Sequence, residues 1–405
     1  MVSIGDIKEA RERIQDTIRN TPLMYSHAFS DMTGANVYIK LENLQRTGAF
    51  KIRGALNRIE TLSSDQKSRG VVTASAGNHA QGVALAASRA GVDSKIVMPE
   101  HAPVSKVKAT ERYGGNVVLY GSDYNEAQIK AHQIEKEESR TYVHAFDDEM
   151  VMAGQGTIGL EIVEDCSELD TVIVPIGGGG LISGISTAIK NHRSDIRVIG
   201  VQADGAASAA RSVKNGEIYE RESVDTIADG IATRRIGDRT FDIIKKNVDE
   251  IVTVDDESIA IALTYLLERH KTLTEGAGAI SIAAMLSDSF EYTDGEVIVP
   301  ACCGGNIDLN MLTTVVMRGL VATGRYIRFR TVLEDRPGTL VKLSEVIAEH
   351  NANIISFQHD RNSRDIGMKD ARVDIELETR GPDHVEKLLS TLRGEGYNIE
   401  LVNTY

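Results

Sequence analysis

Lys51 stands between Phe50 and Ile52, with Arg53 two positions on, inside the stretch Lys40–Ala55, KLENLQRTGAFKIRGA. An amine set between an aromatic and an aliphatic side chain can lose hydration, and a neighbouring cation lowers its pKa further. Part of it is then neutral and can act as a nucleophile. The competing reading is a solvated lysine at a helix start, the common condition of lysines. A second stretch, Thr171–Lys190, TVIVPIGGGGLISGISTAIK, sets four glycines between an apolar run and a helix-like run. Backbone without side chains can turn its N–H groups inward, and a helix N-terminus adds positive charge. Gly177, Gly178, Gly179 and Gly180, with Leu181 after them, therefore read as an anion site, for phosphate above all. Ile182 and Ser183 stand where a dinucleotide fingerprint needs its third glycine, and no Gly-Lys-[Ser/Thr] follows to make a P-loop. A flexible turn is the alternative.

Two further breaks carry polar or reactive groups. In Ser75–Gly82, SAGNHAQG, Ser75 and Asn78 are expected to cap a helix and leave backbone N–H groups for a carboxylate. Ordinary capping explains the stretch equally well. His79 is read as a packed or capping histidine before a catalytic base. Cys302-Cys303-Gly304-Gly305-Asn306 follows the apolar run Glu296–Pro300. Thiols are commonly buried small hydrophobes, but these fall at a strand end, where α/β sites gather.

The elements that must position these groups alternate. Strands are expected at Val37–Leu41, Val71–Ala74, Lys95–Pro99, Asn116–Tyr120, Thr141–Ala145, Val172–Ile176, Arg197–Gln202 and Glu296–Pro300. Helices are expected at Phe50–Leu62, Asn78–Ala90, Val104–Tyr113, Asp123–Glu138, Gly154–Glu164, Leu181–Lys190, Asp255–Arg269 and Gly278–Leu286, with Leu309–Ala322 closing the large unit. Nearly continuous apolar strands alternating with helices read as parallel α/β, here as two lobes with a cleft. After Thr323-Gly324 the grammar becomes βαββαβ. Strands are expected at Tyr326–Leu333, Asn353–His359, Arg372–Glu378 and Asn398–Val402, with a charged hairpin loop at Asn362–Asp370, a ferredoxin-like pattern. The expected domains are residues 1–322, with a smaller lobe of about residues 50–150 inserted in the larger, and residues 323–405.

Composition bounds the partners. The 405 residues are 41% hydrophobic, enough for large cores, and carry a net charge of −14, which argues against nucleic acid or an anionic membrane as partner. Thr171–Ile189 lacks charge, but Pro175 and the four glycines make it a strand, loop and buried helix rather than a membrane span. Met1–Arg13 reads as an amphipathic helix rather than a targeting signal. Three cysteines, two of them adjacent, make neither a disulfide framework nor a zinc site, and a reducing cytoplasm fits.

The motifs LENLQRTGAFKIRGA, SAGNHAQG, IGGGGLISG, ADGIA and CCGGN, in this order, resemble the fold-type II pyridoxal-phosphate enzymes of tryptophan-synthase-β-like fold. Within them the chain looks like the threonine/serine ammonia-lyases, over essentially residues 1–320. Residues 325–405 resemble an ACT regulatory domain through LEDRPGTL and the element order. The resemblance implies pyridoxal 5′-phosphate as cofactor and dehydration and deamination of L-threonine, and of L-serine, to 2-oxo acids. It implies that Lys51 is bonded to the cofactor and removes the Cα proton, and that Phe50 packs near the ring. Asn78 would meet the ring's 3-oxygen, and Gly177–Leu181 would hold the phosphate. Ser75, Gly77, Asn78 and His79 would border the substrate carboxylate, and Cys303 would face the pyridine nitrogen. Gly230 matches a loop beside the cofactor, and Glu275 is a weaker match. A thiol at the pyridine nitrogen does not hold a proton there as a carboxylate would, which favours elimination over transamination.

A serine racemase shares the scaffold but needs a serine where Ala76 stands, and Gln202 and Ser208 replace carboxylates of its metal site, so no metal is expected. A β-replacement synthase and a non-catalytic amino-acid sensor are further alternatives. The ACT-like region implies control by a small amino acid, with Asp335, Pro337, Gly338 and Leu340 as effector-site candidates, or a dimerization unit only. A homodimer or homotetramer is expected. Threonine against serine preference, and a biosynthetic against a catabolic role, stay open.

Overall fold

A computed structural model describes all residues except 364–365 and 403–405; part of the expected loop Asn362–Asp370 and the chain's last residues thus lie outside the described residues. The chain divides into two compact units, Met1–Asp308 and Leu309–Tyr405. The helix Leu309–Ala322, read from sequence as closing the large unit, groups with the second one.

The first unit holds two sheets. The larger has the strand order Leu23–Tyr25, Asn36–Leu41, Val297–Cys302, Thr171–Pro175, Arg197–Ala203, Glu250–Val254. All neighbours pair in parallel except Leu23–Tyr25, which runs antiparallel at one edge. The smaller is all parallel, in the order Asn116–Leu119, Ser94–Met98, Val71–Ala74, Thr141–Tyr142. Central strands such as Thr171–Pro175 and Val297–Cys302 are buried along their whole length, which is why they read as continuous apolar runs rather than alternations.

Several elements carry no such run. The edge strands Leu23–Tyr25 and Glu250–Val254 and the helices His27–Thr33, Ser64–Arg69, Ser208–Asn215 and Asp238–Asn247 have no counterpart in the sequence reading. Helix Glu149–Asp165 starts one and a half turns before Gly154, because Asp148 caps it through the N–H groups of Met150 and Val151. The expected strand Thr141–Ala145 pairs only over Thr141–Tyr142; beyond it His144 Nδ1 accepts from the N–H groups of Phe146 and Asp147 and turns the chain.

The parallel arrangement brings strand ends together. Cys302 is in register with Leu41, and Pro300 with Ile173. The loops after Leu41, Pro175 and Cys302 therefore leave the same edge of three adjacent strands, the place where open α/β sheets bind ligands.

In the second unit the strand order is Asn353–Asp360, Asp370–Glu378, Tyr326–Glu334, Glu400–Leu401, all antiparallel. Helices Thr339–Glu349 and Pro382–Gly394 supply Leu343, Ile347, Leu388 and Leu392 to a core with Phe329, Val373, Ile375 and Leu377. This is the βαββαβ order expected from the alternation.

Candidate active site

Lys51 opens the helix Lys51–Glu60, whose N-cap is Phe50. The loop before it is clamped to the Cys303 segment. Phe50 N–H donates to Cys303 O at 3.2 Å, Gly305 N–H donates to Gly48 O at 2.8 Å, and Ala49 and Gly304 form an isolated bridge. The Lys51 amine donates to Ala145 O at 3.1 Å and sits 4.9 Å from the centre of the buried Phe50 ring. Desolvation brings its pKa down to about 8, against the opposing pull of Cys303 and Glu275. An appreciable share of the amine is then neutral at pH 7–8.

Arg53, two residues after Lys51 on the same helix, is wholly buried in an ion network that its sequence neighbours do not show. It donates to Glu42 at 2.8 and 2.9 Å, to Glu161 at 2.6 and 2.8 Å and to Thr157 Oγ1 at 3.0 Å. Lys40 Nζ meets Glu161 at 2.6 Å. Lys40 and Arg53 face the buried carboxylates of Glu42 and Glu161, with Asp165 4.0 Å from Lys40 Nζ, and the network ties strand Asn36–Leu41, helix Lys51–Glu60 and helix Glu149–Asp165 together. Arg53 is thus held beyond deprotonation by its carboxylate partners, despite burial.

The residue after Ala145 links the amine to the glycines. A Cβ on Gly178 would run into the Phe146 ring, and one on Gly180 would stand 2.8 Å from the Phe146 backbone. Gly179 has φ 95° and is the N-cap of helix Gly180–His192, a conformation L side chains rarely adopt. The Gly178 carbonyl is turned away, accepting from Thr240 Oγ1 at 2.8 Å and Gly237 N–H at 3.2 Å. Among the described residues, nothing accepts from the backbone N–H groups of Gly177–Leu181. Clustered unpaired N–H groups at a helix N-terminus fit a phosphate, and an amine of lowered pKa nearby fits an aldehyde.

Asn78 begins helix Asn78–Ala90, whose N-cap is Gly77. The expectation that Asn78 caps the helix is corrected. Its side chain donates to Glu275 Oε1 at 2.7 Å and accepts from Asn306 Nδ2 at 2.8 Å. Ser75 Oγ accepts from Gly77 N–H at 3.2 Å, so Ser75 shapes the turn, while the N–H groups of Asn78 and His79 have no acceptor among the described residues. His79 is buried with Nε2 3.0 Å from Val143 O. A carbonyl only accepts, so Nε2 carries the proton; burial and the Lys51 charge bring the ring down to about 3, and it stays neutral.

Cys303 is buried and its thiol donates to Ala277 O at 3.1 Å. Burial, with Glu275 nearby, raises it well above an ordinary thiol, so it is uncharged. Cys302, next to it, is pushed up by burial as well. Gly230 lies in the short helix Asp229–Ile231, where a Cβ would approach Glu275 Oε1 to 3.0 Å, and Ile231 backs Gly177. Lys51, Asn78, Gly177–Leu181, Gly230 and Cys303 are thus brought into one region of the first unit. Asp335, Pro337, Gly338 and Leu340 belong to the second unit, around the start of helix Thr339–Glu349. Gln202 donates to Ile176 O and Ala206 O and accepts from Ala210 N–H, so its amide is fully engaged. Among the described residues no cluster of three or more His, Cys, Asp or Glu side chains suited to a metal occurs, and no helix is long and apolar enough to cross a membrane.

Glu275, Asn306, Ala145 and Phe146 join this region only through tertiary contacts. Short-range spacing gave no signal for the last two.

Comparison with known proteins gives a consistent result. A family model described as pyridoxal-phosphate dependent enzyme matches residues 14–304, and an ACT domain model matches residues 325–396. The chain is 45% identical over 402 residues to L-threonine ammonia-lyase of Thermotoga maritima, covering 99% of this chain and 100% of that one. Among solved structures it resembles processed threonine deaminase isoform 2 of Solanum lycopersicum, with TM-score 0.75 and 38% identity over 78% of this chain and 94% of that one. Maize serine racemase gives TM-score 0.75 and 38% identity over 79% and 98%.

Proposed function

The chain belongs to the threonine ammonia-lyase family of pyridoxal-phosphate-dependent enzymes and carries an ACT domain, and from this we propose that it converts L-threonine to 2-oxobutyrate and ammonia, and L-serine to pyruvate. The observation that carries the reading is the Lys51 amine hydrogen-bonded to Ala145 O, next to Phe146, which packs against Gly178 and Gly180 of the glycine turn.

Pyridoxal phosphate, when bound, supplies the electron sink that lets an amino acid lose its Cα proton. The residues of this chain do the rest. N–H groups of Gly177–Leu181 would bind the phosphate, with Phe50 beside the ring. Lys51 Nζ would hold the aldehyde carbon and, once released by the substrate's amine, take the Cα proton; a pKa about 8 suits it to both duties near neutral pH. N–H groups of Asn78 and His79, at the helix start just after the Ser75–Gly77 turn, would hold the substrate carboxylate. The neutral Cys303 thiol would put no charge at the ring nitrogen. Loss of the Cα proton and the β-hydroxyl removes one water, and hydrolysis of the product returns one and frees ammonia.

The likeness to maize serine racemase raises racemization as a second reading. It needs a proton-transfer group on the face opposite Lys51. By resemblance that position is Ala76, whose methyl cannot transfer a proton, so elimination is favoured.

For the second unit we propose a small-amino-acid effector at Asp335, Pro337, Gly338 and Leu340, in a cytoplasmic homodimer or homotetramer. Asp335 is already engaged, with Arg361 Nε at 3.0 Å, so an effector would compete for or add to that pair. The decisive experiment measures 2-oxo acid release from L-threonine and L-serine as kcat/KM by the pyridoxal-phosphate-loaded protein, with D-serine assayed in parallel. Release from neither amino acid overturns the proposal, and D-serine as the main product turns it toward racemization.

A further inference from the structure

Asn78 is held at both ends of its amide, and the hydrogen bonds themselves settle which way it faces. Thr47 O is a carbonyl and only accepts, so the Asn306 atom 2.7 Å from it is Nδ2. The same Nδ2 lies 2.8 Å from the Asn78 amide, so the atom it meets there is Oδ1. Asn78 Nδ2 is thereby turned the other way, where it donates to Glu275 Oε1 at 2.7 Å. The Glu275 backbone N–H donates to Gly304 O at 3.1 Å, which ties its segment to the Cys303 loop. Rotating the Asn78 amide by half a turn would set NH2 against NH2 and carbonyl against carboxyl, losing both bonds.

An amide nitrogen has two hydrogens, and Glu275 takes one. The second has no acceptor among the described residues. The carboxyl is closely housed: a Cβ on Gly230 would come within 3.0 Å of Oε1, and one on Gly304 would meet the same oxygen more closely still. Gly230 of the ADGIA motif and Gly304 of the CCGGN motif thus leave room for this side chain.

We propose that Glu275 is a positioning residue. It locks the Asn78 amide so that the second Nδ2 hydrogen stays directed at the ring oxygen of the bound cofactor. This rests on the reading above that Asn78 faces that oxygen. The lock needs an acceptor at Oε1, which a carboxylate, a carboxylic acid and a glutamine carbonyl all provide. Burial raises the Glu275 carboxyl above the ordinary carboxylate range, so a role independent of its charge is the one that persists across pH. Asn306 is the other half of the lock.

The test uses Glu275→Gln, Glu275→Ala and Asn306→Ala in the full-length protein loaded with pyridoxal phosphate. Two quantities are read: the pH midpoint of the bound cofactor's visible absorbance, and its dissociation constant. Thermal unfolding reports whether each variant folds. Glu275→Ala and Asn306→Ala are expected to shift the midpoint in the same direction, by about half a pH unit or more, and to weaken binding about tenfold. Glu275→Gln is expected to keep the midpoint and to bind within about threefold of wild type. An unshifted midpoint in Glu275→Ala overturns the proposal. So does a Glu275→Gln shift as large as that of Glu275→Ala, which would make charge the operative property. If Glu275→Ala does not fold, an unshifted Asn306→Ala overturns it. Wild-type protein that takes up no cofactor defeats the underlying reading instead, a result distinct from all of these.

Discussion

The Lys51 amine lies 3.1 Å from the carbonyl oxygen of Ala145, and the next residue, Phe146, occupies the space that a side chain on Gly178 or Gly180 would need. One short segment thus touches both the amine and the glycine cradle, although Lys51 and Ala145 are far apart in sequence. Replacing Lys51 by alanine is expected to cut 2-oxo acid formation by roughly 10³-fold or more, since nucleophile and base are lost together. The variant should still take up pyridoxal phosphate, reversibly and without the wild-type absorbance. Turnover near the wild-type rate would remove Lys51 from the chemistry.

The lowered pKa of Lys51 gives the cofactor-free protein a pH signature. Its folded value is about 8, below the ordinary value of 10.5. Between these the unfolded chain binds more protons, so this lysine's contribution makes stability rise with pH across that window. Below about 8 both states are protonated, and Lys51 adds a constant penalty with no slope. The rate of cofactor uptake should rise with pH through a midpoint of about 8, read by stopped-flow absorbance. Lys51→Met should remove this positive contribution and so lower the stability slope in this range, and an unchanged slope would assign it to other groups.

Gly178→Ala puts a methyl into the Phe146 ring. Overpacking of this kind costs about 1–3 kcal/mol, and displacement of the cradle should weaken cofactor binding about tenfold or more. Chemical denaturation and a cofactor titration measure the two effects. Binding as tight as wild type would show that the cradle does not hold the phosphate.

Arg53→Met removes the cation shared by Glu42 and Glu161 and leaves their buried carboxylates with too little positive charge. Breaking one side of a buried pair costs about 3–5 kcal/mol. Arg53→Lys should recover only part of this, because an ammonium cannot reproduce the forked contacts. Denaturant midpoints at constant slope decide it, and a loss below 1 kcal/mol would mean that the network relaxes into water.

For regulation, isoleucine, valine and serine are each added to the full-length enzyme at sub-saturating threonine. At least one is expected to change kcat/KM about fivefold or more, within the usual range of coupling energies. Asp335→Ala should blunt that response while leaving catalysis without effector unchanged. If no amino acid alters the kinetics, the ACT domain serves some other purpose.

Periodicity alone reached the central parallel strands, the helices beginning at Asn78 and near Lys51, and the βαββαβ order of the C-terminal unit. Each of these expresses burial in a repeat of one to four residues. The same local signal is absent from the edge strands Leu23–Tyr25 and Glu250–Val254, which are only partly covered. It also placed the end of the first unit after Ala322, whereas the helix Leu309–Ala322 groups with the second. A helix's apolar face shows that it packs, but not which core it packs against.

The amine, the glycine turn and the two cysteines were legible because their chemistry resides in residue type and immediate neighbours. Tertiary structure decided the direction of the Asn78 amide, the joining of Glu275 and Asn306 to it, the neutral state of His79 and the burial of Arg53 among carboxylates. These properties depend on partners supplied by distant segments. Hydrogen bonding and desolvation act over a few ångströms of space, whatever the separation along the chain.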